Sequence, residues 1–275
     1  MNYIKNKRGE KDYCNICGKL SKLTWDHVPP KSSGNSIEVN VNHLYSGIPT
    51  NNNYQKRFQS GIKYRSLCSE CNNNILGKYD MSYKNFVNSI KDMLRTSVTL
   101  PYTVHIQIEI NKVCRAVCGH FLAAKNFYDN KGHIDQELRM YVLDEQYALN
   151  SAYNLYYWIY PYKTTYIIRD SVVKSYSNKV KFPANVISSW ASYPIAFILA
   201  IDPTDNCGLN NLLSYTTNNI ADVIDVPIDF RSSYYPGRNE VRDFLWPFNI
   251  GDDPDDVAFI VGGDAMNDSL VGITK

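Results

Sequence analysis

Two cysteine pairs enclose the part of the chain that decides the fold. The first pair reads Cys14-Asn15-Ile16-Cys17-Gly18, and the second reads Cys68-Ser69-Glu70-Cys71-Asn72. The two-residue spacing lets both sulfurs of a pair face one ion, and Gly18 permits the tight turn that follows the first pair. Four thiolates make the tetrahedral set of a closed structural zinc site. We therefore expect Cys14, Cys17, Cys68 and Cys71 to hold one Zn²⁺, in preference to remaining four buried free thiols.

Cysteine usage also predicts the compartment. The chain has seven cysteines, an odd number, and four of them fall in the two pairs. This pattern favours a reducing cytoplasm over a secreted disulfide framework. Residues 1–5 show no apolar signal-peptide core. The most apolar run, residues 193–201, is far shorter than the roughly 20 residues of a membrane-spanning helix. We expect a cytoplasmic protein with no membrane partner.

Charge is distributed unevenly along the 275 residues, although the net charge is only +2. Residues 1–100 carry 15 Lys and Arg against 7 Asp and Glu, a formal charge of +8. Residues 101–275 carry 14 against 20, a formal charge of −6. A basic N-terminal part suggests a polyanionic partner, with nucleic acid as the leading candidate. Ordinary surface variation is the alternative.

A second motif, Trp25-Asp26-His27-Val28-Pro29-Pro30-Lys31, lies between the cysteine pairs. Hydrolysis of a phosphodiester needs an activated water and stabilisation of charge on the phosphate and the leaving oxygen. Histidine titrates near neutrality and can take the proton from water. Hard divalent ions prefer oxygen ligands, which Asp26 and an Asn carboxamide provide. Adjacent side chains on an extended strand point to opposite sides, so a bend or the following loop must bring Asp26 and His27 toward one phosphate.

The order of these motifs resembles that of the HNH endonucleases. The match is to the zinc-stapled branch, in which an acidic-His-Val-Pro-Pro-Lys motif lies between two Cys-x-x-Cys pairs. Cys71-Asn72 followed by Gly77-x-x-Asp80 is similar to the end of that branch's motif. The resemblance covers residues 12–82. It implies a ββα-metal fold, in which a β-hairpin and a helix surround the catalytic ion, with residues 63–67 as the second strand and zinc at the base.

The resemblance also implies roles for individual residues. His27 would be the general base, and Asp26 would bind a catalytic Mg²⁺ or Mn²⁺ together with Asn72. Turn capping by Asp26 and helix capping by Asn72 are the alternatives. Lys63 stands where the family has its middle Asn, so the group that orients the base is open. The candidates for it are Asn51, Asn52, Asn53 or a backbone carbonyl.

Three basic side chains of the motif region are candidate phosphate contacts. A solvated surface charge is an equally good interpretation of each. These residues are Lys31, Arg65 and Lys78.

The pattern changes after about residue 98. Apolar Val104, Ile106, Ile108 and Ile110 alternate with polar residues, which predicts a half-buried strand. Residues 113–124 are typical of a helix, in which Cys114, Cys118 and His120 are expected to pack in the core rather than bind a metal. Further strands are predicted at residues 155–162, 165–176, 186–190 and 194–201. The sequence thus predicts an α+β protein with two domains. Residues 1–98 form the HNH nuclease domain, and residues 99–275 form a mixed α+β domain with antiparallel sheet and no assigned role.

Together these features predict a metal-dependent endonuclease that contacts duplex DNA largely through its backbone. Such an activity is compatible with a defence or mobile-element role. Residues 99–275 could mediate homo-oligomerisation or bind a protein partner. The main alternative is a zinc-stapled nucleic-acid-binding module that has lost catalysis, and a third option is a structural zinc domain used for protein contacts.

Overall fold

The strands of the computed structural model form three antiparallel sheets. The model describes residues 8–36, 39–43, 56–160, 165–174, 184–201, 209–230 and 258–262. In chain order the strands are β1 (Lys11–Tyr13), β2 (Leu20–His27), β3 (Val39–His43), β4 (Lys56–Phe58), β5 (Lys63–Cys68), β6 (Thr103–Glu109), β7 (Tyr153–Ile159), β8 (Thr165–Lys174), β9 (Ala184–Ser192), β10 (Ile195–Ile201), β11 (Asn210–Asn211), β12 (Val223–Asp229) and β13 (Ala258–Gly262).

Three α-helices accompany the sheets. They are α1 (Gly77–Arg95), α2 (Ile110–Ala123) and α3 (His133–Leu143). A π-helical segment, Glu70–Leu76, leads directly into α1, and short 3₁₀ turns occur at Lys31–Ser33 and Leu212–Tyr215. The chain is therefore mixed α+β with antiparallel sheets, as the sequence predicts.

The strands nearest the N-terminus form a three-stranded sheet in the order β1-β2-β5. Strand β5 is followed directly by the π-helical segment and α1. The antiparallel pair β2-β5 therefore precedes a helix. A register shift between Thr24 and Trp25 interrupts the pairing of β2 with β5. Such bulges bend a strand locally and redirect its side chains.

An eight-stranded sheet, in the order β11-β7-β10-β9-β8-β13-β3-β4, forms the largest layer. The long segment between the two motifs contributes β3 and β4 to its edge. Asn, Ser and Gly are frequent in residues 32–61, which predicts a long loop or insertion, so the strands Val39–His43 and Lys56–Phe58 correct that expectation. The reason is that β3 pairs with β13, a partner about two hundred residues away that local sequence cannot reveal.

One buried apolar cluster runs through both halves of the chain. It includes Ile16 of the cysteine hairpin, Phe86 of α1, Phe121 of α2 and Trp190 of the large sheet. Helix α2 lies at its centre, because almost every one of its side chains is buried. The division at residue 98 stays a prediction, and the two halves share this cluster.

A buried ion network ties α3 to the large sheet. Lys125 Nζ lies 2.8 Å from Asp135 Oδ2 and also pairs with Asp170, while Arg169 Nη2 lies 3.1 Å from Asp135 Oδ1. Asp170 has a φ of 52° at the irregularity in β8, a left-handed backbone that Asp and Asn tolerate better than most residues.

Among the described residues, no helix combines the length and the apolar character needed to cross a membrane.

Candidate metal and nuclease site

The four paired cysteines meet at one point. Their sulfurs all lie within 4.8 Å of one another. Cys17 Sγ and Cys68 Sγ are 3.8 Å apart, which is about the edge of a tetrahedron built from Zn–S bonds of about 2.3 Å. Cys14, Cys68 and Cys71 are buried. The cluster could therefore hold a structural metal such as zinc.

Backbone hydrogen bonds hold the turn at the cysteine cluster and stabilise one of its thiolates. Gly18 has a φ of 68°, and its N–H donates to the Cys14 carbonyl at 2.9 Å, which closes the turn after the first pair. The backbone N–H of Cys68 points at Cys14 Sγ at 3.3 Å. Donation by the Cys71 thiol and by the backbone amides of Cys68, Cys17 and Ile16 outweighs burial and lowers the pKa of Cys14 to about 5. Cys14 thus favours the thiolate form that binds metals.

The hairpin of β2 and β5 separates its side chains onto two faces. Residues opposite one another in the ladder share a face, and successive residues alternate. His27 and Trp25 are half-buried on the outer face, whereas Asp26 is buried on the inner face. Strand β2 therefore does not bring Asp26 and His27 to one side, as we expected a bend or the following loop to do. The opposing pairs are His27 with Lys63, Trp25 with Arg65, and Asp26 with Tyr64.

His27 is held by a backbone carbonyl. Its Nε2 lies 2.9 Å from the Ser60 carbonyl oxygen. A carbonyl can only accept, so Nε2 carries the proton and Nδ1 is left as the basic atom. Burial lowers the pKa of His27, although the Ser60 contact opposes this effect. The ring is therefore neutral near pH 7, which suits a general base. A backbone carbonyl was one of our two candidates for the orienting group, and Asn51, Asn52 and Asn53 lie outside the described residues.

Asp26 faces the interior and meets a histidine from the second half of the chain. Its Oδ2 lies 3.2 Å from Nδ1 of His120, which is on α2. The other ring nitrogen of His120, Nε2, lies 2.9 Å from Oδ1 of Asp80 on α1. Burial disfavours the charged imidazolium, but the two carboxylates outweigh burial and raise the pKa of His120 to about 10. A cationic ring thus joins the two carboxylates of the HNH-like stretch.

Asn72 lies against the strand that carries Asp26. Its Nδ2 donates to Thr24 Oγ1 at 3.0 Å and to the Trp25 carbonyl at 3.1 Å. These bonds hold the amide nitrogen and leave the carboxamide oxygen as the atom that could face an ion. The oxygens of Asp26 and Asn72 are hard donors of the kind that Mg²⁺ and Mn²⁺ prefer, so the residues present fit such an ion. Of the other two asparagines of the run, Asn73 donates to Ser69 Oγ just before the π-helical segment, and Asn74 donates to Glu70 Oε2 within it.

A residue that sequence reasoning missed, Asn35, clamps the loop that follows His27. Its Nδ2 donates to the carbonyls of Pro29 at 2.7 Å and Ile62 at 2.9 Å, and its Oδ1 accepts from the Ile62 N–H at 2.9 Å. Gly61, with a φ of 79°, packs directly against Asn35. Asn35 is one of many asparagines in a polar stretch, and nothing in the sequence distinguishes it from the others.

The candidate phosphate contacts differ in their surroundings. Lys31, the last residue of the motif, is exposed. Arg65 Cζ lies 4.8 Å from the centre of the Trp25 ring, beside Lys63. Lys78 Nζ is 2.7 Å from Glu145 Oε1, so this lysine is already paired. Arg65 and Lys31 therefore remain the better placed of the three.

Cys114 and Cys118 are fully buried in α2, as expected for core residues. His120 is buried with them, but its two carboxylate partners were not foreseen. The available signal was a histidine on an apolar helix, because a buried ring nitrogen needs a polar partner.

No family model, curated protein or solved structure matches this chain.

Proposed function

We propose that this protein is a metal-dependent endonuclease of the HNH type that hydrolyses phosphodiester bonds of DNA. The observation that carries the proposal is the setting of His27. Its ring is fixed by the Ser60 carbonyl, its pKa is lowered by burial, and it directly follows Asp26. In this role Nδ1 of His27 takes the proton from the attacking water.

Asp26 and Asn72 are the proposed ligands of the catalytic Mg²⁺ or Mn²⁺. Asn72 donates to the carbonyl of Trp25, the residue just before Asp26. This bond holds the Asn72 side chain close to the backbone that carries Asp26. A divalent ion held there would stabilise charge on the phosphate and on the leaving oxygen. The cysteine cluster, with zinc bound, would keep the hairpin and the start of α1 in place.

The outer face of the hairpin supports a nucleic-acid substrate. His27 shares this face with Trp25, Lys63 and Arg65, so the proposed base lies among cationic side chains. Cations of this kind position a nucleic acid through its phosphates without reading its sequence. Duplex DNA approached through its backbone is therefore the proposed substrate, in line with the excess of positive charge in residues 1–100.

One observation favours a second candidate, a nucleic-acid-binding module without catalysis. Lys63 stands where the HNH family has its middle Asn. The Ser60 carbonyl contact supplies an orienting group for His27 by another route, which is why we prefer the enzyme.

The test is cleavage of supercoiled plasmid by purified protein in Mg²⁺, in Mn²⁺ and in EDTA. We expect cleavage with a divalent ion and none with EDTA. His27→Ala should reduce the rate by about 10²- to 10⁴-fold, the usual range for loss of a general base. His133→Ala is the matched control, because His133 is an exposed histidine away from the hairpin. Binding without cleavage under every condition would favour the second candidate, and a His27→Ala rate equal to wild type would contradict the enzyme.

A further inference from the structure

His120 is enclosed completely and held at both ring nitrogens. The side chain is 0% exposed, with Nδ1 at 3.2 Å from Asp26 Oδ2 and Nε2 at 2.9 Å from Asp80 Oδ1. The Trp190 ring packs against it nearly at a right angle, with ring centroids 5.9 Å apart and an interplanar angle of 74°. An imidazole ring is rigid, so its two nitrogens fix the positions of both carboxylates relative to α2.

The contact with His120 fixes the orientation of the Asp26 carboxylate. Rotation of the Asp26 carboxylate would break the bond from its Oδ2 to His120. Oδ2 is thus occupied, and Oδ1 is the oxygen left to bind an ion. Ligating carboxylates that are held by a second hydrogen bond bind metals more tightly than free ones, and loss of such a partner typically costs 10- to 100-fold in metal affinity or activity.

We propose that His120, backed by Asp80, is a positioning residue for the catalytic metal ligand Asp26. The inference rests on the proposed nuclease function and deepens it. It makes α2, which lies beyond residue 98, part of the catalytic centre. The second half of the chain then completes the nuclease site in addition to packing against it.

Two isosteric substitutions separate positioning from simple core packing. The amide nitrogen of Asn occupies the place of the histidine Nδ1, whereas that of Gln occupies the place of Nε2. His120→Asn therefore keeps a donor toward Asp26, and His120→Gln keeps a donor toward Asp80 only. Both variants remove the same ring from the same buried site, so a purely structural role would affect them alike.

The experiment measures Mn²⁺ binding to the full-length, zinc-loaded chain from the free Mn²⁺ signal in electron paramagnetic resonance, beside plasmid cleavage over a range of Mn²⁺ concentrations. His120→Gln should require about 10- to 100-fold more Mn²⁺ for half-saturation and should approach the wild-type rate once saturated. His120→Asn should lie between wild type and His120→Gln, because it keeps the donor toward Asp26 but loses the contact to Asp80. Cys114→Ala is the control, because it removes another fully buried side chain from α2.

If His120→Asn, His120→Gln and Cys114→Ala all reach half-saturation at the same Mn²⁺ concentration, the proposal is overturned. If neither His120 variant retains zinc, Asp80→Asn decides, since Asp80 is partly exposed and acts through His120. A Mn²⁺ curve for Asp80→Asn equal to that of wild type would then also overturn it. Wild-type protein that neither binds Mn²⁺ nor cleaves would refute the proposed function itself. If wild type cleaves and the His120 variants bind Mn²⁺ with the wild-type affinity, only this inference is refuted.

Discussion

Cys17 Sγ and Cys68 Sγ lie 3.8 Å apart, although 51 positions separate them in the sequence. The segment between them carries the Asp-His motif and the strands β3 and β4, which lie at one edge of the eight-stranded sheet. A metal at this point would therefore close a long loop and fix the hairpin against the helix that follows it.

The first prediction is that each chain binds one zinc ion through the four clustered cysteines. Binding of structural zinc contributes on the order of 10 kcal/mol to folding in small zinc modules. Cys68→Ser should release the metal and unfold the hairpin region. Elemental analysis and thermal unfolding check both effects. Cys118→Ala is the matched control, since this buried cysteine lies outside the cluster and should leave the zinc content at one per chain.

A second prediction separates metal ligands from the general base. Asp26→Ala and Asn72→Ala should slow plasmid cleavage, and raised Mn²⁺ should recover part of the loss because a weakened site can still be filled. His27→Ala should stay inactive at every Mn²⁺ concentration. Asn73→Ala is the control for the asparagine run, because Asn73 is exposed and should cleave normally. Recovery of His27→Ala by Mn²⁺ would contradict the assigned roles.

A third prediction concerns the clamp on the loop after His27. Asn35→Ala removes two donors and one acceptor that join Pro29 to Ile62, so the loop and the His27 ring should lose their fixed position. Misplacement of a catalytic group by about 1 Å can reduce a rate by about 100-fold. We expect a fall in kcat of about 10- to 100-fold with unchanged zinc content.

Gly61→Ala should have the same effect as Asn35→Ala by a different route. A Cβ at Gly61 would collide with the Asn35 backbone, and its φ of 79° disfavours any side chain. Ser32→Ala, an exposed change in the same segment, should leave kcat unchanged. Normal kcat in both loop variants would show that the clamp does not position His27.

Local spacing predicted the part of the site that lies close together in sequence. The cysteine pairs and the motif Asp26-His27 each follow from short-range patterns, and the four cysteines do converge. The alternation from Val104 to Ile110 likewise predicted strand β6, although Ile110 itself begins helix α2. Contacts between distant residues were not accessible. His120 meets Asp26 across 94 positions, and no local pattern states which polar group a buried histidine will face.

The boundaries of elements illustrate the same limit. Helix α2 begins at Ile110, directly after β6, where we expected residue 113, because Ile110 continues the apolar alternation of the strand and hides the start of the helix. Helix α3, His133–Leu143, was not foreseen, since its mixed polar sequence has only a moderate apolar face. Its place is set by packing against α2 and by the ion network around Asp135.

The last prediction tests that network. Asp170 is engaged by Lys125 and Arg169, and Ser188 Oγ donates to its Oδ1 at 3.2 Å. Burial alone would raise the pKa of Asp170, but the cations outweigh burial and hold it below the usual 3.8. A carboxylate with a depressed pKa stabilises the fold at pH values above its unfolded pKa, and this contribution disappears only as the pH falls through the folded pKa.

Asp170→Asn keeps a residue that tolerates the positive φ yet removes the charge. The free energy of unfolding in urea should fall by about 1–3 kcal/mol, the range for hydrogen bonds to charged groups and their loss. Because the carboxylate is ionised throughout, the deficit should be the same at pH 6 and pH 8. Asp144→Asn, at an exposed position after α3, should change the unfolding free energy little. A deficit that vanished between pH 6 and pH 8 would show that Asp170 is not held ionised by its neighbours.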